Sequence, residues 1–181
     1  MDELIFVTGS RNKILEAERI LKRPLQSKDL DLPEIQSIKV EDVVAHKARL
    51  AYESVGRTPV IVEDTGVFID GWNGLPGALI RWFLETVGTA GICSMLDNFP
   101  DRNARAQTIV AKYDGTLKSY SGEVIGQIAS RPRGDNGFGW DTIFIPQGET
   151  RTFAEMESFE KDRFSMRRIA FEKFAIDERD K

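Results

Sequence analysis

The chain has 181 residues, of which 41% are hydrophobic, 9% aromatic and 30% charged, a composition that excludes disordered, collagen-like and coiled-coil architectures. At this length roughly 70% of the unfolded surface is buried on folding, so a core forms without disulfides or a structural metal. With 25 Lys and Arg against 29 Asp and Glu the net charge is −4 and the pI about 5.2, which argues against a non-specific grip on nucleic acid.

The single cysteine, Cys93, has no partner for an internal disulfide and points to a reducing, cytoplasmic compartment. The apolar run Leu4 to Val7 is shorter than the ~7 residues of a signal core or the ~20 of a membrane span, so neither export nor membrane insertion is expected. No repeat, low-complexity tract or Pro/Gly/Ser linker interrupts residues 1–181, which therefore read as one domain.

Leu4 to Val7 predicts a short buried strand that ends at Thr8-Gly9-Ser10, and Ile14, Ala17, Ile20 and Leu21 predict a helix over 13–21. Val43, Val44, Ala48, Ala51 and Val55 recur at three and four, giving a second helix from Val40 that stops at Gly56. A strand at Val60-Ile61-Val62 is followed by a Gly/Pro-rich loop over 71–77, a short helix over 80–87 and another helix capped by Thr89. From Ala104 to Val110 the period changes to two, and Asp114-Gly115 predicts a hairpin into Leu117 to Tyr120 and on through Val124 to Ile128. A strand at Ile143-Phe144-Ile145 and a helix over 165–174 complete an α/β chain with a mixed sheet.

Four segments carry chemistry. Thr8-Gly9-Ser10-Arg11-Asn12-Lys13 stands where a strand hands over to a helix, and the N–H groups of a helix N-terminus, with Lys13 and two hydroxyls beside them, suit phosphate. It has neither the Walker A spacing nor a GxGxxG fingerprint. Glu63 and Asp64, at the end of an apolar strand, suit a divalent cation or general-base role at a cleft mouth. Phe138-Gly139-Trp140-Asp141 can present flat rings to a planar base, with Asp141 accepting from its N–H groups. Lys161 and Arg167, around the start of the last helix, can donate to carbonyl or phosphate oxygens. His46 has no Cys or second His near it, which disfavours zinc and leaves a surface or capping histidine.

In this order the segments resemble the family of inosine triphosphate pyrophosphatases over nearly the whole chain. Thr8, Gly9, Ser10, Lys13 and Glu16 match its Thr-Gly-Asn, Lys and Glu pattern, with Ser10 in place of Asn. Leu32-Pro33-Glu34-Ile35-Gln36, Val62-Glu63-Asp64-Thr65-Gly66, Gly74-Leu75-Pro76-Gly77 and Ile80-Arg81-Trp82-Phe83 also match. So do Pro132-Arg133-Gly134, Phe138-Gly139-Trp140-Asp141 and Thr152-Phe153-Ala154-Glu155-Met156.

The resemblance implies an elongated fold of two lobes around a central cleft, a homodimer, and Mg²⁺-dependent cleavage of ITP, dITP or XTP to the monophosphate and pyrophosphate. It would place Thr8 to Lys13, Lys47 and Thr65 on the triphosphate, and Glu34, Glu63 and Asp64 near Mg²⁺. Asp64 would be the base, with Lys13 assisting, and Phe138, Gly139, Trp140, Asp141, Lys161, Met166 and Arg167 would grip the purine. One departure bears on the base: the family's Ser-His-Arg reads Ser165-Met166-Arg167 here, so a thioether replaces a ring donor. A pyrophosphatase for another modified nucleotide, and a nucleotide-binding module without turnover, are the alternative readings.

Overall fold

The computed structural model describes residues 4–179; 1–3 and 180–181, the ends of the expected domain, lie outside the described residues. Strand β1 (Ile5–Val7) leads into helix α1 (Arg11–Leu21), then β2 (Gln26–Lys28), α2 (Val40–Ser54) and the long β3 (Val60–Ile69). Next come β4 (Pro76–Gly77), α3 (Ile80–Thr86), α4 (Gly88–Met95), and a hairpin of β5 (Asn103–Tyr113) and β6 (Leu117–Ile128). The chain closes with β7 (Phe144–Pro146), α5 (Ser158–Lys161) and α6 (Met166–Arg179). No helix among the described residues is long and apolar enough to cross a membrane.

The seven strands form one mixed sheet in the order β2-β1-β3-β5-β6-β7, with β4 added against β3. β1 is parallel to β2 and β3, while β5, β6 and β7 are antiparallel additions. The mixed α/β class expected from the sequence is the one observed. Because side chains alternate along a strand, β3 divides the core. Val60 and Val62 face α2, whose Val43, Val44, Ala48 and Ala51 are buried against them. Ile61 faces the other way, with Phe6, Val110, Phe171 and Phe174 beneath α1 and α6. Each fully buried Phe in that layer contributes about 1.5–3 kcal/mol.

Several local expectations change. The strand expected at Val60 to Val62 runs on to Ile69: Gly66 reads locally as punctuation, but here it faces Val40 and the Gly77-Ala78 backbone, where a Cβ would stand 2.8–3.0 Å from its neighbours. The β6 strand is continuous through Ser121 and Gly122, which pair with Ile109 and Thr108. β2 is a strand that no local pattern predicts, since all three of its residues are exposed and polar and carry no hydrophobic period. The Thr89 cap is not formed: α4 begins at Gly88, at φ +68°, with no side-chain cap.

Candidate active site

The position of the site follows from where β3 loses a neighbour. β1 pairs with β3 only at Val60 and Ile61, and β4 only at Val67 and Phe68, whereas β5 pairs along the full length. Between those two contacts, residues 62–66 have a gap on one side. Gaps of this kind, beyond the carboxyl end of a strand, are where α/β sheets bind ligands. Glu63 and Asp64 were expected at the end of their own strand. It is β1 that ends beside them.

The β1–α1 turn supplies the first wall. Thr8 Oγ1 accepts the Ser10 N–H at 3.1 Å, and Ser10 Oγ accepts the Lys13 N–H at 3.4 Å, so Ser10 is the N-cap of α1. A Cβ on Gly9 would stand 2.6 Å from the Asp29 carboxylate, so a larger residue there would push that side chain aside. These residues, with Glu34, Lys47 and Asp64, line a cavity of about 770 Å³. The Arg11 and Asn12 side chains are exposed and do not line it; what they can offer is backbone N–H at the helix start.

A second cavity, of about 300 Å³, adjoins the first. Its walls are Leu84, Phe138, Gly139, Trp140 and Met166, with Asp141, Lys161 and Arg167 as its charged groups. Ser10, Lys13, Asp64, Thr65, Ile80 and Arg81 line both cavities. Asp64 and Lys13 therefore sit at the junction of a polar chamber and an aromatic one. Arg81, which carries no expected role, shares that junction. So do Asp29 and Asp31 belong to the polar chamber, although neither stood out from an ordinary acidic loop.

Period two puts adjacent Glu63 and Asp64 on opposite faces of β3. Glu63 turns inward, 1% exposed, and its oxygens are taken: Arg167 donates Nε to Oε2 at 2.6 Å and Nη2 to Oε1 at 3.2 Å. Lys13 Nζ stands 3.1 Å from Oε1, and Thr65 Oγ1 donates to it at 3.2 Å. Burial alone would push this carboxyl up, but Arg167 and then Lys13 hold it down at about 2. Glu63 lines neither cavity, so its expected place as a metal ligand is corrected: it is the buried anchor of Arg167. Asp64 lines both, its Oδ1 accepting the Thr65 N–H at 2.9 Å with Lys13 Nζ 3.7 Å away.

The same network continues under the aromatic chamber. Arg167 Nη1 donates to Glu16 Oε2, and Lys161 Nζ donates to Glu16 Oε1 at 3.1 Å and to Asp141 Oδ2 at 2.7 Å. Glu16 is held below the usual carboxylate range, Arg167 and then Lys161 overcoming its burial. Asp141 is pushed up, its burial outweighing Lys161. The Phe138 ring lies over both cations, 5.2 Å from Lys161 Nζ and 5.6 Å from the Arg167 guanidinium carbon, a cation–π arrangement. Trp140 departs from its expected partnership with Phe138: it is 8% exposed and packs against Phe144 and Phe153, a core plug that closes the chamber floor.

Among the described residues no group of three or more His, Cys, Asp or Glu is placed to hold a metal. The donor set nonetheless fits a hard cation that arrives with its ligand. The polar chamber carries four carboxylates, Asp29, Asp31, Glu34 and Asp64, against three cations, Lys13, Lys47 and Arg81. A polyphosphate entering it adds negative charge to a net-negative site, and Mg²⁺ is usually held by one or two carboxylates plus phosphate oxygens. Of the four carboxylates, Asp64 also lines the aromatic chamber, and Glu34 stands 3.9 Å from Lys47 with its side chain 45% exposed. His46 is neither cap nor fully surface: its Nδ1 is buried without a hydrogen-bond partner.

A helix start, a carboxylate at a gap in the sheet and an aromatic chamber with charged donors define a pocket for a phosphorylated planar ring. A family model described as the Ham1 family matches residues 4–176, and the chain belongs to that family. It is 42% identical over 178 residues to a dITP/XTP pyrophosphatase of Methanopyrus kandleri, covering 96% of this chain and 94% of that one. It is 38% identical to an inosine triphosphate pyrophosphatase of Kluyveromyces lactis, covering 93% and 92%. Among solved structures, a HAM1 protein from Coxiella burnetii superposes with a TM-score of 0.84 at 26% identity over 100% of both chains.

Proposed function

We propose that this chain hydrolyses non-standard purine nucleoside triphosphates, ITP, dITP and XTP, to the monophosphate and pyrophosphate. The observation that carries this is the seating of Asp64 and Lys13 between the two cavities. With the base in the aromatic chamber and the β- and γ-phosphates in the polar one, the α-phosphorus lies at that junction. The names of the relatives support the same reaction. Water attacks the α-phosphorus, the bond from the α-phosphorus to the bridging oxygen breaks, and pyrophosphate leaves with the electron pair.

Asp64 orients that water and takes its proton. Lys13 and Lys47 place positive charge against the oxygens where negative charge builds, and the α1 N-terminus adds backbone donors. Glu34 and Asp64 would hold Mg²⁺, which when bound supplies charge neutralisation on the phosphates. In the base chamber Phe138 stacks on the ring. The N–H donors that Lys161 and Arg167 have left meet a 6-oxo group, and would face an amino group unpaired in adenine. Met166, packing without donating, sets how tightly the ring is held.

The same reading makes the chain one domain with lobes on either side of the cleft. It also makes it a cytoplasmic enzyme, in keeping with a free, buried Cys93, and a homodimer. Trp82, Val87 and Met95, exposed on α3, α4 and the turn between them, support such self-association.

The test is pyrophosphate release with Mg²⁺ from ITP, dITP, XTP, GTP and ATP, comparing the chain with Asp64→Asn. Release from the inosine and xanthine nucleotides, lost in the variant, is expected. Binding without release would favour a regulatory module, and equal release from all five would refute the base assignment.

A further inference from the structure

We infer that Gly122 sets the depth of the base chamber by letting the first turn of α6 rest directly on the sheet, an inference that builds on the function proposed above. Gly122 in β6 lies opposite Thr108 in β5, which lies opposite Thr65 in β3. Directly paired residues share a face, so the row runs from the cavity junction to the foot of α6 on the Glu63 side of the sheet.

A Cβ on Gly122 would overlap the Met166 carbonyl oxygen and stand 2.8 Å from Ala170 N and 2.9 Å from Ile169 Cβ. All three obstacles belong to α6, and two are backbone, so no rotamer change makes room. Only the helix can move. Met166 and Arg167 open that helix, are 1% and 2% exposed, and form chamber walls. Arg167 also holds Glu63 at 2.6 Å, which leaves no slack for a lift. The phosphate groups are carried by the β1–α1 turn and α2, which α6 reaches only through Glu16 and Glu63, whereas Met166 and Arg167 form the base wall directly. A rise of α6 should therefore weaken the base side more than the phosphate side. A displacement of about 1 Å in a positioning element can cost ~10²-fold in rate. Gly122 is thus a positioning residue for Met166 and Arg167.

The experiment compares Gly122→Ala with Gly126→Ala. Gly126 is as crowded on the same strand, a Cβ there overlapping the Ile145 carbonyl oxygen and standing 2.8 Å from the Phe144 ring, but it abuts β7 rather than α6. Readouts are kcat/KM on ITP, the affinity for inosine monophosphate, the affinity for inorganic tripolyphosphate with Mg²⁺, and the melting temperature. Gly122→Ala should lower kcat/KM on ITP by about 10²-fold and weaken inosine monophosphate by a larger factor than tripolyphosphate. Gly126→Ala, which reaches the chamber only through Phe144 behind Trp140, should shift the ratio of the two affinities less than Gly122→Ala does, whatever it does to melting.

If both variants lose the two affinities alike, or Gly122→Ala alters neither, the inference fails. Should Gly122→Ala not fold, Ala170→Val, whose side chain is buried in the layer where α6 packs with Ile61 and Val110, crowds the same helix from its own side and must show the same split; an unmoved ratio of the two affinities overturns the inference. That ratio needs no turnover, so an unmodified chain that binds but cleaves nothing would count against the proposed reaction and still leave this test readable.

Discussion

Replacing Arg167 by Met leaves two acids facing an apolar side chain. The Glu63 side chain is 0% exposed and that of Glu16 12%, so neither can turn to bulk water. Removing one partner of a buried ion pair costs about 3–5 kcal/mol, because the charge left behind stays desolvated. Glu63 keeps Lys13 at 3.1 Å and Glu16 keeps Lys161 at 3.1 Å, which holds the expected loss within that range rather than at twice it. At about 2–4 °C per kcal/mol for a chain of this size, the melting temperature should fall by roughly 6–20 °C.

The pH dependence separates charge from volume. In the unmodified chain Glu63, pushed up by burial but held down to about 2 by Arg167 and Lys13, lies below its ordinary value of 4.5. Its contribution is therefore fully present above that ordinary value and is lost as pH falls toward 2. Without Arg167 only Lys13 opposes the burial that is the largest influence on Glu63, so the folded-state value should rise past the unfolded one. The penalty is then largest at neutral pH and relieved as pH falls through the raised value. Urea unfolding of both chains at pH 7 and pH 5 should show the gap narrowing at the lower pH. A loss of equal size at both would assign the cost to misfit of the methionine and refute the argument from unpaired charge.

Two further changes probe the site's supports. Thr65 gives its hydroxyl proton to Glu63, so Thr108, 2.7 Å away, must donate to Thr65; Thr108→Val should cost about 1–3 kcal/mol for the unmet acceptor. Thr108→Ser should cost only the methyl, about 0.8 kcal/mol, and equal losses in urea unfolding would count against a hydrogen-bonded role. Phe138→Ala should weaken inosine monophosphate by roughly 5- to 150-fold, the ~1–3 kcal/mol of one stacked base, with tripolyphosphate unchanged in calorimetry. Equal weakening of both ligands would place Phe138 outside the base contact.

Local chemistry in the sequence carried much of this. The apolar period of three and four placed α2 within a residue of its observed ends, and Asp114-Gly115 placed the β5–β6 hairpin, with Gly115 at φ +106°. A strand-to-helix turn with Thr8, Gly9, Ser10 and Lys13 reads as an anion site, and Phe138 as a ring partner, and the function proposed above takes up both readings. Such signals are legible because turns, caps and amphipathic periods depend on residues a few positions apart.

What tertiary structure alone decided involves partners far apart in the chain. Nothing near Glu63 in sequence distinguishes it from Asp64; Arg167, 104 residues away, makes one a buried anchor, and the end of β1 makes the other a cavity-facing acid. Trp140 and Phe138 look alike locally, but Phe144 and Phe153 draw only the first into the core. Gly122 resembles a strand break until α6 is laid upon it. Burial and charge pairing are set by which elements pack together, and that packing is not written in any short window of sequence.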